Sequence, residues 1–320
     1  MKLLLLGFSR IAQRRILPAL ASLGLHGIDI ASVLAESTEN QHIGVEKRYW
    51  TYQEALENSR ADLVYVSTIN SLHAALASEA LRRGFHVIVD KPACLTVQEA
   101  YDLTELAASS GKCVAEATVW AYHPQVCRAL EIFQGGATRI AAAFSFPPLP
   151  DTDIRYKAEW GGGAENDLGP YALTPGRCFF GQPAEVIEAR ILSEYMGVTT
   201  SFALLSTYPN GRSLTGYFGF DTCYVNQLQV VGPRLGISME RAFSPPAGMP
   251  MRLSVHEDDQ VRGIDIAPAD TFAIFMRAVL EAIREGEFAG FRRALLADSL
   301  EREALRSSLL RSKIAVKAGQ

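Results

Sequence analysis

What this sequence lacks narrows it first. Its five cysteines (Cys94, Cys113, Cys127, Cys178 and Cys223) form no CxxC pair. An odd, scattered set argues against a disulfide framework and for reduced thiols, so a cytoplasmic location is expected. The six histidines show no HExxH or similar ligand spacing, and no metal site is expected. Basic residues are not in excess: 31 Lys and Arg face 35 Asp and Glu, a net charge of −4. That leaves no electrostatic footprint for nucleic acid. The apolar run Leu3–Leu6 is too short for a secretion signal or a membrane span, so no membrane partner is expected. No repeat or low-complexity tract is visible.

What is present is an ordinary globular composition, 48 % apolar and 21 % charged over 320 residues, long enough for two domains. Up to about residue 120, strand-like and helix-like stretches alternate. Strands are expected at 1–6, 28–34, 48–50, 63–67, 85–89 and 112–118. Helices are expected at 10–23, 52–58, 71–83 and 97–109. Such alternation implies a doubly wound parallel α/β sheet of the Rossmann type. After a further helix at 123–133 the strands run consecutively: 140–146, 186–193, 199–207, 214–220, 224–231 and 235–239. They imply an α+β domain with an open-faced, mostly antiparallel sheet. Helices at 271–284 and 293–313 close the chain. The expected division is 1–120 for dinucleotide binding and 121–320 for substrate binding and oligomerisation, with the last helices able to return to the first domain.

The first strand–helix turn reads "LLLLGFSRIAQRRILPAL". A dinucleotide fingerprint would read G-x-G-x-x-G, and here those positions are Gly7, Ser9 and Ala12. All three are small. Gly7 permits a tight turn, Ser9 lets backbone approach a pyrophosphate, and Ala12 lets the helix sit close to the strand. The turn Gly7, Phe8, Ser9, Arg10 and Ile11 is therefore the expected pyrophosphate site, at a helix N-terminus. Glu36, past the second strand, suits the two ribose hydroxyls of an adenosine and repels a 2′-phosphate, which favours NAD and leaves NADP possible. Arg48 is the residue that would instead contact such a phosphate.

"VYVSTINSLHAALASEAL" places Thr68, Asn70 and His73 just past the fourth strand. "FHVIVDKPACLT" places Asp90, Lys91 and Pro92 past the fifth, and Glu116 ends the sixth. Carboxyl ends of parallel strands face the ligand crevice, so these residues are expected around the cofactor, with Lys91 near the nicotinamide.

These stretches, with "AEATVWAYHPQ" and "GGGAENDLGPYAL", resemble the Gfo/Idh/MocA family, the relatives of glucose–fructose oxidoreductase and inositol dehydrogenase. The resemblance runs in order from residue 3 to about 180. It implies that Lys91 is the catalytic lysine of an E-K-P motif in which Asp90 stands where Glu is usual. It also implies that Asp167 and Tyr171 fill the second catalytic stretch, Tyr171 standing where the family usually has histidine. That variant, with "FPPLPDTDIRY", resembles ketoreductases of nucleotide-linked ketosugars. Trp120, His123, Arg155, Tyr156, Asp167 and Tyr171 are then expected to meet substrate. Asp167 and Tyr171, four residues apart, are expected on one helix face, with Asp167 orienting or balancing Lys91.

The chemistry implied is hydride exchange between a nicotinamide and a sugar carbonyl. Lys91 would stabilise the developing alkoxide and Tyr171 would donate a proton. Two alternatives stay open: an alcohol-oxidising sugar or cyclitol dehydrogenase, and a non-catalytic dinucleotide-binding regulator. The resemblance also implies a homodimer or homotetramer built on the open sheet face.

Overall fold

The computed structural model describes residues 1–25, 27–32 and 45–318. The chain divides into two compact units. One comprises Met1–Thr118 with Phe272–Ser299, and the other Val119–Thr271 with the chain from Leu300 onward.

The first unit holds a six-stranded sheet of β1 (Leu3–Leu6), β2 (Ile28–Ala31), β3 (Val45–Tyr49), β4 (Leu63–Val66), β5 (His86–Val89) and β6 (Val114–Glu116). Its order is β3-β2-β1-β4-β5-β6 and every pair is parallel. The doubly wound order expected from the alternation is therefore present. Leu3–Leu6 and Leu63–Val66 are buried throughout, as strands covered on both faces must be. The crossover helices are α1 (Leu17–Ser22), α2 (Tyr52–Asn58), α3 (Asn70–Arg82) and α4 (Val97–Ser109). Ahead of α1, Ala12–Ile16 winds as a π-helical segment, so the helix expected at 10–23 changes pitch along its length. Thr96 caps α4 with a reciprocal Thr96–Glu99 capping box.

In the second unit, α5 (Pro124–Phe133) leads into β7 (Arg139–Ser145), α6 (Ala164–Asp167) and α7 (Gly169–Phe180). Then follow β8 (Val186–Tyr195), β9 (Val198–Tyr208), β10 (Arg212–Gly219), β11 (Val225–Val231), β12 (Leu235–Glu240), β13 (Met251–Glu257) and β14 (Gln260–Ile266). The eight strands run β14-β13-β12-β11-β7-β10-β9-β8, antiparallel except for the parallel pair β10–β7. Residues alternate between faces: Ile140, Ala142, Leu214, Phe218, Leu228 and Val230 are buried, whereas Thr215, Gln227 and Gln229 are exposed. The inner face supplies the core with α5 and α7. Two strands, β13 and β14, were not expected. β14 is exposed at most positions, so no apolar stripe marks it. β13 alternates cleanly and was legible in "MRLSVHE". The closing helices are α8 (Thr271–Glu285) and α9 (Ala289–Ala318).

Candidate active site

Gly7 turns the chain out of β1 with φ +92°, a conformation that only glycine adopts readily. An added Cβ would lie 2.1 Å from the Ser67 carbonyl oxygen. The turn therefore presents bare backbone immediately before a helix start, which fits a dinucleotide pyrophosphate. Ser9 accepts from the Ala12 N–H at 2.9 Å, and its Oγ lies 2.7 Å from that of Ser67. The Phe8 carbonyl accepts from Gln13 at 3.2 Å, while Arg10 and Ile11 are exposed. Glu36 lies outside the described residues. Arg48 is exposed on β3.

At the carboxyl ends of β4, β5 and β6 the polar residues converge on the loop that bears Lys91. Asp90 Oδ1 accepts from the Tyr65 hydroxyl at 2.8 Å, and Oδ2 accepts from Ser67 at 2.6 Å. Tyr65 is fully buried, and burial, followed by the charge of Asp90, holds its pKa well above the ordinary range. It is thus a fixed donor. The Lys91–Pro92 peptide is cis. The Pro92 carbonyl lies 2.8 Å from His73 Nδ1, and His73 Nε2 lies 3.2 Å from the Thr68 carbonyl. Burial lowers the pKa of His73 and favours the neutral ring. A neutral ring has one N–H, and the shorter contact assigns it to Nδ1. Glu116 accepts from the Ala93 N–H at 2.8 Å and from the Thr118 hydroxyl at 3.0 Å. Residues 90, 92 and 93 are each tied down around Lys91. A hydrogen bond to a carboxylate contributes about 1.5–3 kcal/mol, so this mount is stiff. Asn70 begins α3.

The second unit revises the helix-face expectation. Asp167 ends α6 and Tyr171 lies in the first turn of α7, with Leu168 (φ −110°) between them. Pro170 has no N–H to continue α6, so the two residues stand on two successive short helices rather than on one. Tyr171 is half-buried against Phe144 (centroids 5.1 Å apart) and Phe243 (5.6 Å). Within this unit Asp167 pairs with Arg155, whose Nε donates at 2.7 Å, a partner that the spacing did not suggest. Arg155 also pairs with Asp153 at 3.0 Å. The charge of Asp167 raises the guanidinium's pKa further. Tyr156 is buried at 4 % exposure, its hydroxyl accepting from the Leu149 N–H at 3.1 Å. That bond fastens the loop after β7.

Trp120 and His123 are fully buried, and among the described residues no hydrogen-bond partner is found for Trp120 Nε1 or His123 Nε2. His123 Nδ1 accepts from the Gln125 N–H at 3.2 Å, which puts the ring proton on Nε2. Burial pushes its pKa down to about 4. The sequence reading missed Tyr65, Ser67 and Asp153. The first two stand at i and i+2 in "YVS", on one strand face, but only the pairing of β4 with β5 shows that this face meets Asp90.

Residues 1–118 match the oxidoreductase family described as having an NAD-binding Rossmann fold, Gfo/Idh/MocA, and residues 134–238 match that family's C-terminal domain. The chain is 31 % identical over 291 residues to a dTDP-3,4-didehydro-2,6-dideoxy-alpha-D-glucose 3-reductase from Streptomyces antibioticus, covering 88 % of each. It is 27 % identical over 290 residues to a D-xylose 1-dehydrogenase (NADP(+)) from Haloferax volcanii, covering 88 % of this chain and 89 % of that one. Among solved structures it is similar to KijD10, a 3-ketoreductase from Actinomadura kijaniata in complex with NADP and TDP-benzene. The TM-score is 0.90 and the identity 28 %, over 97 % of this chain and 98 % of that one. The chain belongs to the Gfo/Idh/MocA oxidoreductases and is an NAD(P)-dependent enzyme acting on carbonyl or hydroxyl groups of sugars.

Proposed function

We propose that this protein reduces the keto group at C3 of a dTDP-linked deoxysugar, using NADH or NADPH. The stiff mount around Lys91, with its charge at the carboxyl end of β5, is the observation that carries the reading. The reductase names of relatives that match most of the chain support the substrate class. Solved KijD10 structures include a lysine-to-alanine and a tyrosine-to-phenylalanine mutant, so the same two residue types are under test in that enzyme.

The nicotinamide supplies the hydride. The backbone from Gly7 to Ile11 would hold the pyrophosphate, Ser9 being small enough to let it approach. Lys91 stabilises negative charge on the carbonyl oxygen as it becomes an alkoxide. Tyr171 delivers the proton, and a neutral phenol is suited to reduction because it holds that proton at pH 7. Arg155 pairs with both Asp153 and Asp167 and so braces the loop of Asp153 against the end of α6.

The exposed face of the second sheet, with Thr215, Tyr217, Gln227 and Gln229, is assigned to a symmetric homodimer or homotetramer. No helix among the described residues is long and apolar enough to cross a membrane. The reduced thiols and the nucleotide-linked substrate favour a cytoplasmic enzyme.

The test is oxidation of NADH or NADPH with three acceptors: the dTDP-linked 3-ketosugar, the same sugar without nucleotide, and a simple ketose. Turnover is expected with the first and at most trace rates with the others. Equal rates with the free sugar overturn the nucleotide-linked assignment. No turnover with any ketosugar overturns the reductase reading.

A further inference from the structure

Two motif positions depart from a usual pattern: Ser9 stands where the general dinucleotide fingerprint has its second glycine, and Asp90 where the family's motif usually has Glu. They are joined by hydrogen bonds. Ser9 Oγ is 2.7 Å from Ser67 Oγ, and Ser67 Oγ is 2.6 Å from Asp90 Oδ2. An ionised carboxylate only accepts, so the single proton of Ser67 goes to Asp90. Ser67 must then accept from Ser9. Ser9 in turn accepts from the Ala12 N–H at 2.9 Å. Tyr65 donates to the other Asp90 oxygen at 2.8 Å. The direction of every bond is fixed: Ala12 to Ser9 to Ser67 to Asp90, with Tyr65 closing the far side.

Ser67 is 1 % exposed and Tyr65 fully buried, so water does not readily replace either donor. A glycine at position 9 has no hydroxyl to start this chain. A glutamate at position 90 would carry its carboxylate one methylene beyond the spot that Ser67 and Tyr65 address. The two departures are therefore matched to each other.

We infer that Ser9, Ser67 and Tyr65 are positioning residues that set Lys91 through its neighbour Asp90 and link the pyrophosphate turn to the lysine. The inference rests on Lys91 being the charge at the reacting oxygen. It says why a hydroxyl at position 9 is an asset here, although glycine is the usual residue of the fingerprint.

Ser9→Gly is the decisive variant, because glycine restores the usual fingerprint and suits the turn. Ser67→Ala and Tyr65→Phe accompany it, with Lys91→Ala as the reference. Two readouts are taken on the full chain. The first needs no substrate: competitive reductive methylation, read by peptide mass, with Lys112 as internal standard. The relay predicts that the Lys91 labelling rate changes by about threefold or more in all three variants while Lys112 is unmoved. Unchanged Lys91 labelling in all three overturns the relay, whatever reaction the enzyme performs.

The second readout is kcat with the dTDP-linked ketosugar at saturating cofactor. Ser9→Gly is expected to lower kcat about fivefold to tenfold with little change in cofactor KM, whereas a capping role alone would leave kcat intact. The Ser9→Gly/Ser67→Ala pair is expected to be no worse than Ser67→Ala alone, since Ser9 gives its proton only to Ser67. Multiplying effects overturn the relay. Wild-type activity of Lys91→Ala overturns the functional reading instead. An inactive Lys91→Ala beside a fully active Ser9→Gly overturns the relay alone.

Discussion

Lys91 and Tyr171, the two proposed catalytic residues, stand in contrasting surroundings. The Lys91 loop is fixed by directional bonds: Tyr65 and Ser67 to Asp90, His73 at the Pro92 carbonyl, and Glu116 at the Ala93 N–H. The ring of Tyr171 packs against Phe144 and Phe243. Directional bonds place an atom closely and fail when one donor is lost. Ring packing degrades gradually with volume and tolerates related shapes. The first unit should therefore be intolerant of single polar deletions, and the aromatic setting of the second tolerant of conservative apolar changes.

The largest expected effect would break the comparison by removing either residue itself. Lys91→Ala and Tyr171→Phe should each lower kcat by about 10² or more, with smaller changes in cofactor affinity. Steady-state kinetics on both and on the double variant should show strong non-additivity. Gly7→Ala comes next. Its Cβ would collide with the Ser67 carbonyl at a position of positive φ, so NAD(P)H affinity should fall by at least about tenfold in a fluorescence titration.

The buried polar groups of the second unit sharpen the contrast, because among the described residues His123 Nε2 has no hydrogen-bond partner, whereas each of the Lys91 neighbours has one. Burial holds His123 near pKa 4, below its ordinary 6.5. The unfolded chain takes up that proton first, so stability is complete above about pH 6.5 and declines as pH falls toward 4. The loss is on the order of 2 kcal/mol. Denaturant unfolding across that range should show the decline, and His123→Asn, which keeps a capping acceptor, should flatten it. The smallest effect is expected for Phe243→Leu, which should reduce kcat by less than about fivefold because the tyrosine retains Phe144. A hundredfold loss in that variant would erase the distinction between the two settings.

Legibility in the sequence follows the same divide. The Rossmann unit could be read in order because each proposed functional group stands at the end of a strand, and strand ends are visible as apolar runs that stop. Gly7, Asp90, Lys91 and Glu116 were found in that way. Tyr65 and Ser67 were not, because a hydroxyl inside an apolar strand looks like any β-former until its cross-strand neighbour is known. In the second unit the pairing of Asp167 with Arg155 depends on a loop closing over twelve residues of sequence. Spacing alone suggested a helix face that Pro170 interrupts.

The most direct test of the central claim is transfer of deuterium from labelled NADPH or NADH to the dTDP-linked 3-ketosugar, read by mass spectrometry and NMR of the product. The account predicts one deuterium at C3 of the reduced sugar. It also predicts a rate that falls about a hundredfold in Lys91→Ala and in Tyr171→Phe while cofactor still binds. Cofactor oxidation without label at C3, or wild-type transfer by either variant, would contradict it.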